Sequence, residues 1–190
     1  MGMISMKNND VKKLVQSSLL LAVVIVFQII GSRIPGLNQY IVGSVVNAAL
    51  LVTVFVSGTF YGTAVGVLTP WTALLVGQLK PAMAPFIPFI MLGNAIFAIA
   101  FGIIYKREPF GKYAGIIIGA ILKFGFLYLS ANKIIYALNM NFPKKVAEAL
   151  SVAMGATQLV TALLGGLLAF VLIEIIFKRI KLTNETRSAL

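Results

Sequence analysis

The sequence of 190 residues contains neither cysteine nor histidine, and only five of its residues are acidic. Without cysteine the chain has no disulfide and no thiolate nucleophile, and without histidine it has no imidazole base and lacks a common metal ligand. The five acids are Asp10, Glu108, Glu148, Glu174 and Glu185. We interpret all of them as terminal, loop or interfacial, so no buried pair of catalytic carboxylates is expected. These absences argue against an intramembrane metalloprotease or thiol enzyme, and we expect no enzyme activity, metal or cofactor.

Charge is scarce along the chain. Charged residues make up 11% of the sequence and hydrophobic residues 59%, with a mean hydropathy of +0.98. Because a soluble domain carries about 25% charged residues, this composition predicts an integral membrane protein with a single domain over residues 1–190. The apolar stretch 14–30 is long enough to span and lacks a small-residue cleavage site, so we expect a retained helix rather than a signal peptide.

The sequence predicts an all-α membrane fold with six spans. A spanning helix needs about 20 mainly apolar residues. The segments that fit lie near 12–31, 39–57, 58–77, 84–105, 113–137 and 150–178. Lysine and arginine flank these spans more often on the side of the two termini, which places both termini in the cytoplasm. The net charge of +11 is then explained by basic residues that set the orientation in the membrane and contact anionic lipid. In a soluble protein the same charge would suggest binding to nucleic acid.

Small residues recur at intervals of four on two of the spans. Gly58, Gly62 and Gly66 follow this spacing on the third span, and Ser18 and Ala22 make a shorter version on the first. Such spacing lets two helix backbones approach closely in lipid. It fits packing within the chain or docking against a partner membrane subunit.

The segment Thr69-Pro70-Trp71-Thr72 is expected to break the third span. Proline removes one backbone hydrogen bond, and neighbouring threonine hydroxyls can satisfy the freed groups. Trp71 is the only tryptophan. It fits an interfacial belt position or a stacking wall for a flat ligand.

Lys123 interrupts the apolar run 116–129. A charged side chain costs about 2.5–3.5 kcal/mol at the centre of a membrane helix, so it usually faces a bundle interior or a cavity. No carboxylate is expected at matching depth. Three explanations stay open: an internal partner, a lysine that snorkels or is uncharged, and contact with a polar or anionic ligand.

Uncharged polar residues accompany Lys123 on the last three spans. Asn94 lies on the fourth span, Tyr128 and Asn132 form an i,i+4 pair on the fifth, and Gln158 lies on the sixth. Each one alone favours an interhelical hydrogen bond. Together they are typical of an apolar pocket that carries a few placed polar groups.

Six spans, cytoplasmic termini and outer loops above the last three helices resemble the substrate-binding S components of energy-coupling factor (ECF) vitamin transporters. The run FVSGTFYGTAVGVLTPWTALLVG is similar to that family's glycine-spaced third helix. APFIPFIMLGNAIFAIAFGIIY resembles its proline-led fourth helix, and KLVQSSLLLAVVIVF its first. The resemblance covers nearly the whole chain.

This resemblance implies that the chain binds a vitamin or vitamin precursor near the outer face of a prokaryotic cell membrane. Transport would require a membrane coupling (T) protein and two ATPase subunits, and the chain indeed has no G-x-x-x-x-G-K-[ST] phosphate loop. Ser18 and Ala22 correspond to the family's docking pair of alanines, with serine replacing one alanine. The implied pocket residues are Trp71, Gln78, Lys80, Asn94, Lys123, Tyr128, Asn132 and Gln158.

The identity of the ligand stays open at this point. Lys123 and Lys80 favour a carboxylate such as niacin, pantothenate or a folate-like molecule, whereas Trp71 and Tyr128 are compatible with riboflavin or thiamine. The alternative functions are a stand-alone secondary transporter, against which the lack of internal repeats argues, and an intramembrane enzyme.

Overall fold

The described structure is helical throughout. The computed structural model describes residues 2–34, 38–107 and 109–188, with side chains described for 8–34, 39–107 and 109–179. The helices are α1 (Gly2–Arg33), α2 (Asn38–Ser57), α3 (Thr59–Leu75), a 3₁₀ turn (Pro81–Phe86), α4 (Ile87–Ile104), α5 (Gly111–Leu129), a π-helical turn (Ser130–Ile134), α6 (Ile135–Ala137), α7 (Lys144–Ala153) and α8 (Ala156–Ser188). The predicted all-α class is therefore confirmed for the described residues.

Among the described residues, five helical segments are long and apolar enough to cross a membrane. They are Asn8–Arg33, Gln39–Ser57, Pro81–Ile104, Gly111–Ala137 and Lys144–Arg179. The third predicted span corresponds to α3, which has 17 residues. At 1.5 Å per residue α3 is about 26 Å long, somewhat less than the roughly 30 Å of a bilayer core. The chain is thus a multi-pass membrane protein, and the count of six and the orientation stay predictions.

Helix α2 forms the centre of the bundle, in contact with α1, α3, α4 and α8. Its residues Leu50, Leu51 and Val54 are fully buried. The approach to α8 is close at Gly165, where an added Cβ would lie 2.5 Å from the Asn47 Cβ and 2.6 Å from a backbone oxygen of α2. Because only a residue without a side chain fits there, Gly165 sets the distance between the two helices.

The last predicted span, 150–178, is interrupted in the structure. The short helix α7 ends at Ala153, and α8 begins at Ala156 after a turn at Met154 and Gly155. Helix α7 contacts α8, the 3₁₀ turn and the π-helical turn, and its residues Lys144, Lys145 and Glu148 are exposed, so it lies at the end of the bundle. The fifth predicted span, 113–137, is matched by the continuous run Gly111–Ala137, which includes the π-helical turn.

The three spaced glycines of the third predicted span have different environments. A Cβ at Gly62 would collide with Val54 of α2, and one at Gly66 would lie 3.1 Å from the Asn94 Cβ of α4. Gly58 lies in the turn between α2 and α3 with φ 101°, and nothing is within 4 Å of its would-be Cβ. Gly62 and Gly66 thus occupy helix contacts within the chain, whereas Gly58 supplies a backbone conformation that other residues rarely adopt.

Candidate functional site

A cavity of about 110 Å³ with both polar and apolar walls lies at one end of the bundle. It is formed by the C-terminal parts of α1 and α3, the N-terminal parts of α2, α4 and α8, the segment 76–80, and α5. Its polar lining residues are Gln28, Asn47, Thr69, Gln78, Asn94, Lys123 and Gln158. This is the end that the sequence analysis predicts to be the outer one.

Lys123 contributes the one positive charge of the cavity lining. Its side chain is 3% exposed, and Nζ donates a hydrogen bond to the Asn47 Oδ1 at 2.6 Å. The same Nζ lies 5.5 Å from the centre of the Phe97 ring, within the range of a cation–π contact. Since Asn47 is on α2 and Lys123 on α5, this bond fixes the two helices on either side of the cavity.

The charge of Lys123 has no acidic partner among the described side chains. The one ion pair in that part of the chain joins Lys112 to Glu174 at the opposite end of the bundle. Glu108 and Glu185 lie outside the described side chains. An ammonium has three donors, and one of them is used by Asn47, so the site has the charge and donor capacity to bind an anionic or carbonyl-bearing group.

Pro70 organises the polar contacts on the α3 side of the cavity. A proline has no N–H, so the carbonyl of Gly66 loses its usual helical donor. The Asn94 Nδ2 donates to this carbonyl at 2.9 Å, and the Thr69 Oγ1 donates at 3.0 Å. These replacement bonds explain why α3 continues through Pro70 to Leu75, so the break predicted from the sequence at residues 69–72 is wrong.

Gln28 connects α1 to the same region of α3. Its Nε2 donates to the Thr69 carbonyl at 3.0 Å, and its Oε1 accepts from the Thr72 Oγ1 at 2.7 Å. The side chain is 2% exposed. Both polar ends of this amide are therefore used within the protein, which makes Gln28 mainly a residue that positions the cavity wall.

Four of the eight predicted pocket residues line this cavity. They are Gln78, Asn94, Lys123 and Gln158. The site also contains Gln28, Asn47 and Thr69, which the sequence-derived set does not include. The signal available for Gln28 and Asn47 is that each is an amide side chain within a mainly apolar span.

The other four predicted residues lie outside the lining. Trp71 and Tyr128 are each 47% exposed, and Lys80 is exposed. Asn132 donates to the Tyr128 carbonyl at 2.9 Å and accepts from the Ser151 Oγ at 2.7 Å, so it ties the π-helical turn to α7. Helical geometry explains the position of Tyr128, because five residues after Lys123 correspond to a rotation of about 140°.

Ser18 and Ala22, the predicted docking pair, are exposed on α1. Their exposed neighbours include Leu14, Val15 and Leu19. Ser18 and Ala22 do not pack against other helices among the described residues. This side of α1 is therefore accessible to lipid or to another membrane protein.

The family model of the ECF transporter substrate-specific component matches residues 12–179. The chain belongs to this family. No curated protein and no solved structure matches it. As an S component, the chain is a membrane transport protein that takes a small-molecule substrate and associates with an ECF module.

Proposed function

We propose that this S component binds a small carboxylate-bearing vitamin or vitamin precursor in the cavity beside Lys123. The observation that carries the proposal is the buried Lys123 side chain, which lines a cavity with several polar groups and has no acidic partner among the described side chains. A carboxylate would accept from the Lys123 Nζ in a charge-assisted hydrogen bond. Gln78 and Gln158 supply amide groups in the same lining and would orient the rest of the ligand.

The size of the cavity favours a small ligand. Its volume of about 110 Å³ is below the roughly 300–1,000 Å³ of ordinary small-molecule sites. A single-ring acid such as niacin suits this volume better than a folate-like molecule. A larger ligand would require the segment 76–80, which borders the cavity through Gln78 and Leu79, to move outward.

We further propose six spans with both termini in the cytoplasm of a prokaryotic cell, so that the cavity opens toward the outer face. The excess of basic residues near the termini supports this orientation. Delivery inward would follow assembly with a membrane coupling protein and two ATPase subunits. The exposed small residues Ser18 and Ala22 are the proposed contact with the coupling protein.

The test of the binding site is calorimetric titration of the purified protein with niacin, pantothenate, folate, riboflavin and thiamine. We expect one carboxylate to bind with nanomolar to low-micromolar affinity. Lys123→Met should then weaken binding by about 2 kcal/mol, or roughly 30-fold, because a charge-assisted contact is lost. Lys133→Met is the matched control, since Lys133 is exposed on the same helical run and does not line the cavity.

Equal affinity in Lys123→Met and the unmodified protein would reject the role of Lys123. The transport part of the proposal is tested in liposomes that contain this chain alone. We expect ligand binding without uptake, and uptake only after the coupling protein and ATPases are added. Uptake driven by a proton or sodium gradient in the isolated chain would show a secondary transporter instead.

A further inference from the structure

A second cavity lies at the opposite end of the bundle, where α4 ends and α5 begins. Its volume is about 190 Å³, and α8 closes one of its sides. The side chains that give it its chemistry are Tyr105, Arg107, Lys112, Tyr113, Phe170 and Glu174. This combination of cations, phenols and one carboxylate differs from the amide-rich lining of the first cavity.

The described side chains that line this second cavity have a positive balance of charge. The Lys112 Nζ lies 2.5 Å from the Glu174 Oε1, so these two charges neutralise each other. Arg107 remains as an additional cation and its side chain is exposed. A guanidinium presents several N–H donors in a planar fork that matches the oxygens of a phosphate group.

The surroundings of this cavity are those expected at the depth of lipid headgroups. It lies at the ends of the apolar segments Pro81–Ile104 and Gly111–Ala137. The aromatic side chains of Phe110, Tyr113 and Phe177 around it are 70%, 50% and 54% exposed. Exposed aromatic rings at the end of a spanning helix are typical of the membrane–water interface.

We propose that this cavity binds the phosphate group of an anionic phospholipid. Arg107 and Lys112 donate to the phosphate oxygens, with Lys112 shared between the phosphate and Glu174. The acyl chains lie along the apolar surface below, where Ile117 of α5 and Val171 of α8 are exposed. Basic pockets between membrane helices bind anionic headgroups in this way. The proposal is independent of the ligand bound beside Lys123.

The test measures retained lipid by native mass spectrometry of the full chain, after exchange into phosphatidylglycerol or phosphatidylcholine. We expect selective retention of phosphatidylglycerol, and Arg107→Gln should lower its apparent affinity about tenfold through the loss of a charged donor. Because Arg107 is exposed, this variant is expected to fold even if substitutions in the ion pair do not. Lys178→Gln removes an exposed cation of α8 outside the cavity and should change nothing.

A matched pair of variants separates charge from packing. Lys112→Gln and Glu174→Gln both break the same ion pair, but the first removes a cation and the second an anion. We expect the first to weaken lipid retention and the second to leave it equal or higher. Equal losses in both variants would overturn the proposal, since the ion pair would then act only through packing.

Two further outcomes would also overturn it. Equal retention of phosphatidylcholine and phosphatidylglycerol would show that the phosphate charge is not recognised. Displacement of phosphatidylglycerol by millimolar inorganic phosphate would show a site for the free anion rather than for a lipid.

Discussion

The hydrogen bond between Asn47 and Lys123 makes it possible to measure separately how Lys123 affects the stability of the protein and how it affects ligand affinity. Asn47 is 1% exposed and Lys123 is 3% exposed, and their hydrogen bond measures 2.6 Å. Because both partners are buried, replacing either one leaves the other without its partner. The perturbation consists of Asn47→Leu, Lys123→Met, and the two substitutions together.

The expected magnitudes follow from the charge of each group. Asn47→Leu leaves a buried ammonium without its acceptor and should cost about 2–3 kcal/mol, the range of a hydrogen bond to a charged group. Lys123→Met leaves only a neutral amide oxygen without a donor and should cost about 1 kcal/mol or less, since burial of the charge is also relieved. The double variant, with apolar groups in both places, should be close to the unmodified protein in stability.

Thermal unfolding in detergent provides the assay. At about 2–4 °C per kcal/mol for a chain of this size, Asn47→Leu should lower Tm by about 5–10 °C, and Lys123→Met in the same background should restore most of the loss. Additive effects of the two substitutions would refute the pairing. Ligand affinity is the second measurement: the double variant should be stable but should bind weakly, and unchanged affinity would refute the role of the ammonium.

Three further predictions concern packing and docking. Gly165→Ala should lower Tm because its Cβ would lie 2.5 Å from α2, whereas Gly125→Ala, whose Cβ meets nothing within 4 Å, should stabilise α5 by about 0.5–1 kcal/mol. Asn94→Leu should cost about 1 kcal/mol in thermal unfolding, and Pro70→Ala should recover that loss by restoring a helical N–H donor; no recovery would contradict the proposed bonding. Ala22→Trp should prevent co-purification with the coupling protein while ligand affinity stays unchanged, and normal assembly would reject this docking surface.

Composition and apolar periodicity were sufficient to predict the membrane class and most helix bounds. The continuous run Gly111–Ala137 and the helix Asn38–Ser57 match the predicted spans 113–137 and 39–57 closely. The bounds of a spanning helix depend on the hydrophobicity of consecutive residues, which can be calculated directly from the sequence. The interruption at Gly155 was not predicted, because the apolar character continues across it and only the packing of α7 reveals a separate helix.

The partners of the polar residues could be predicted less well. The cost of a buried charge is readable from one span, so Lys123 could be recognised as exceptional. Its partner Asn47 is 76 residues away in the chain and lies on α2, whereas Lys123 lies on α5. The hydrophobicity of each span does not say which helices face each other across the cavity, so this pair becomes visible only in the folded bundle.

The rotation of successive residues around a helix explains why some predicted pocket residues do not line the cavity. Trp71 and Tyr128 were selected by residue type, since an aromatic ring near a polar group suits a flat ligand. Trp71 directly follows the lining residue Pro70, which rotates it by about 100°, and its side chain is half exposed. Residue type alone therefore did not identify the lining, because the rotation along each helix decides which side chains reach the cavity.

The energetics of Lys123 favour a ligand role over a purely structural one. Its charge costs about 2.5–3.5 kcal/mol in a membrane helix, and one hydrogen bond to Asn47 offsets about 1.5–3 kcal/mol of this. An apolar residue would stabilise the bundle at least as well, because buried polar pairs can generally be replaced by apolar groups without loss. An anion in the cavity would meet an ammonium that is already desolvated and held in place, so little further ordering opposes binding. Lys123 therefore adds little net stability to the fold, and its desolvated position suits the carboxylate-binding role proposed above.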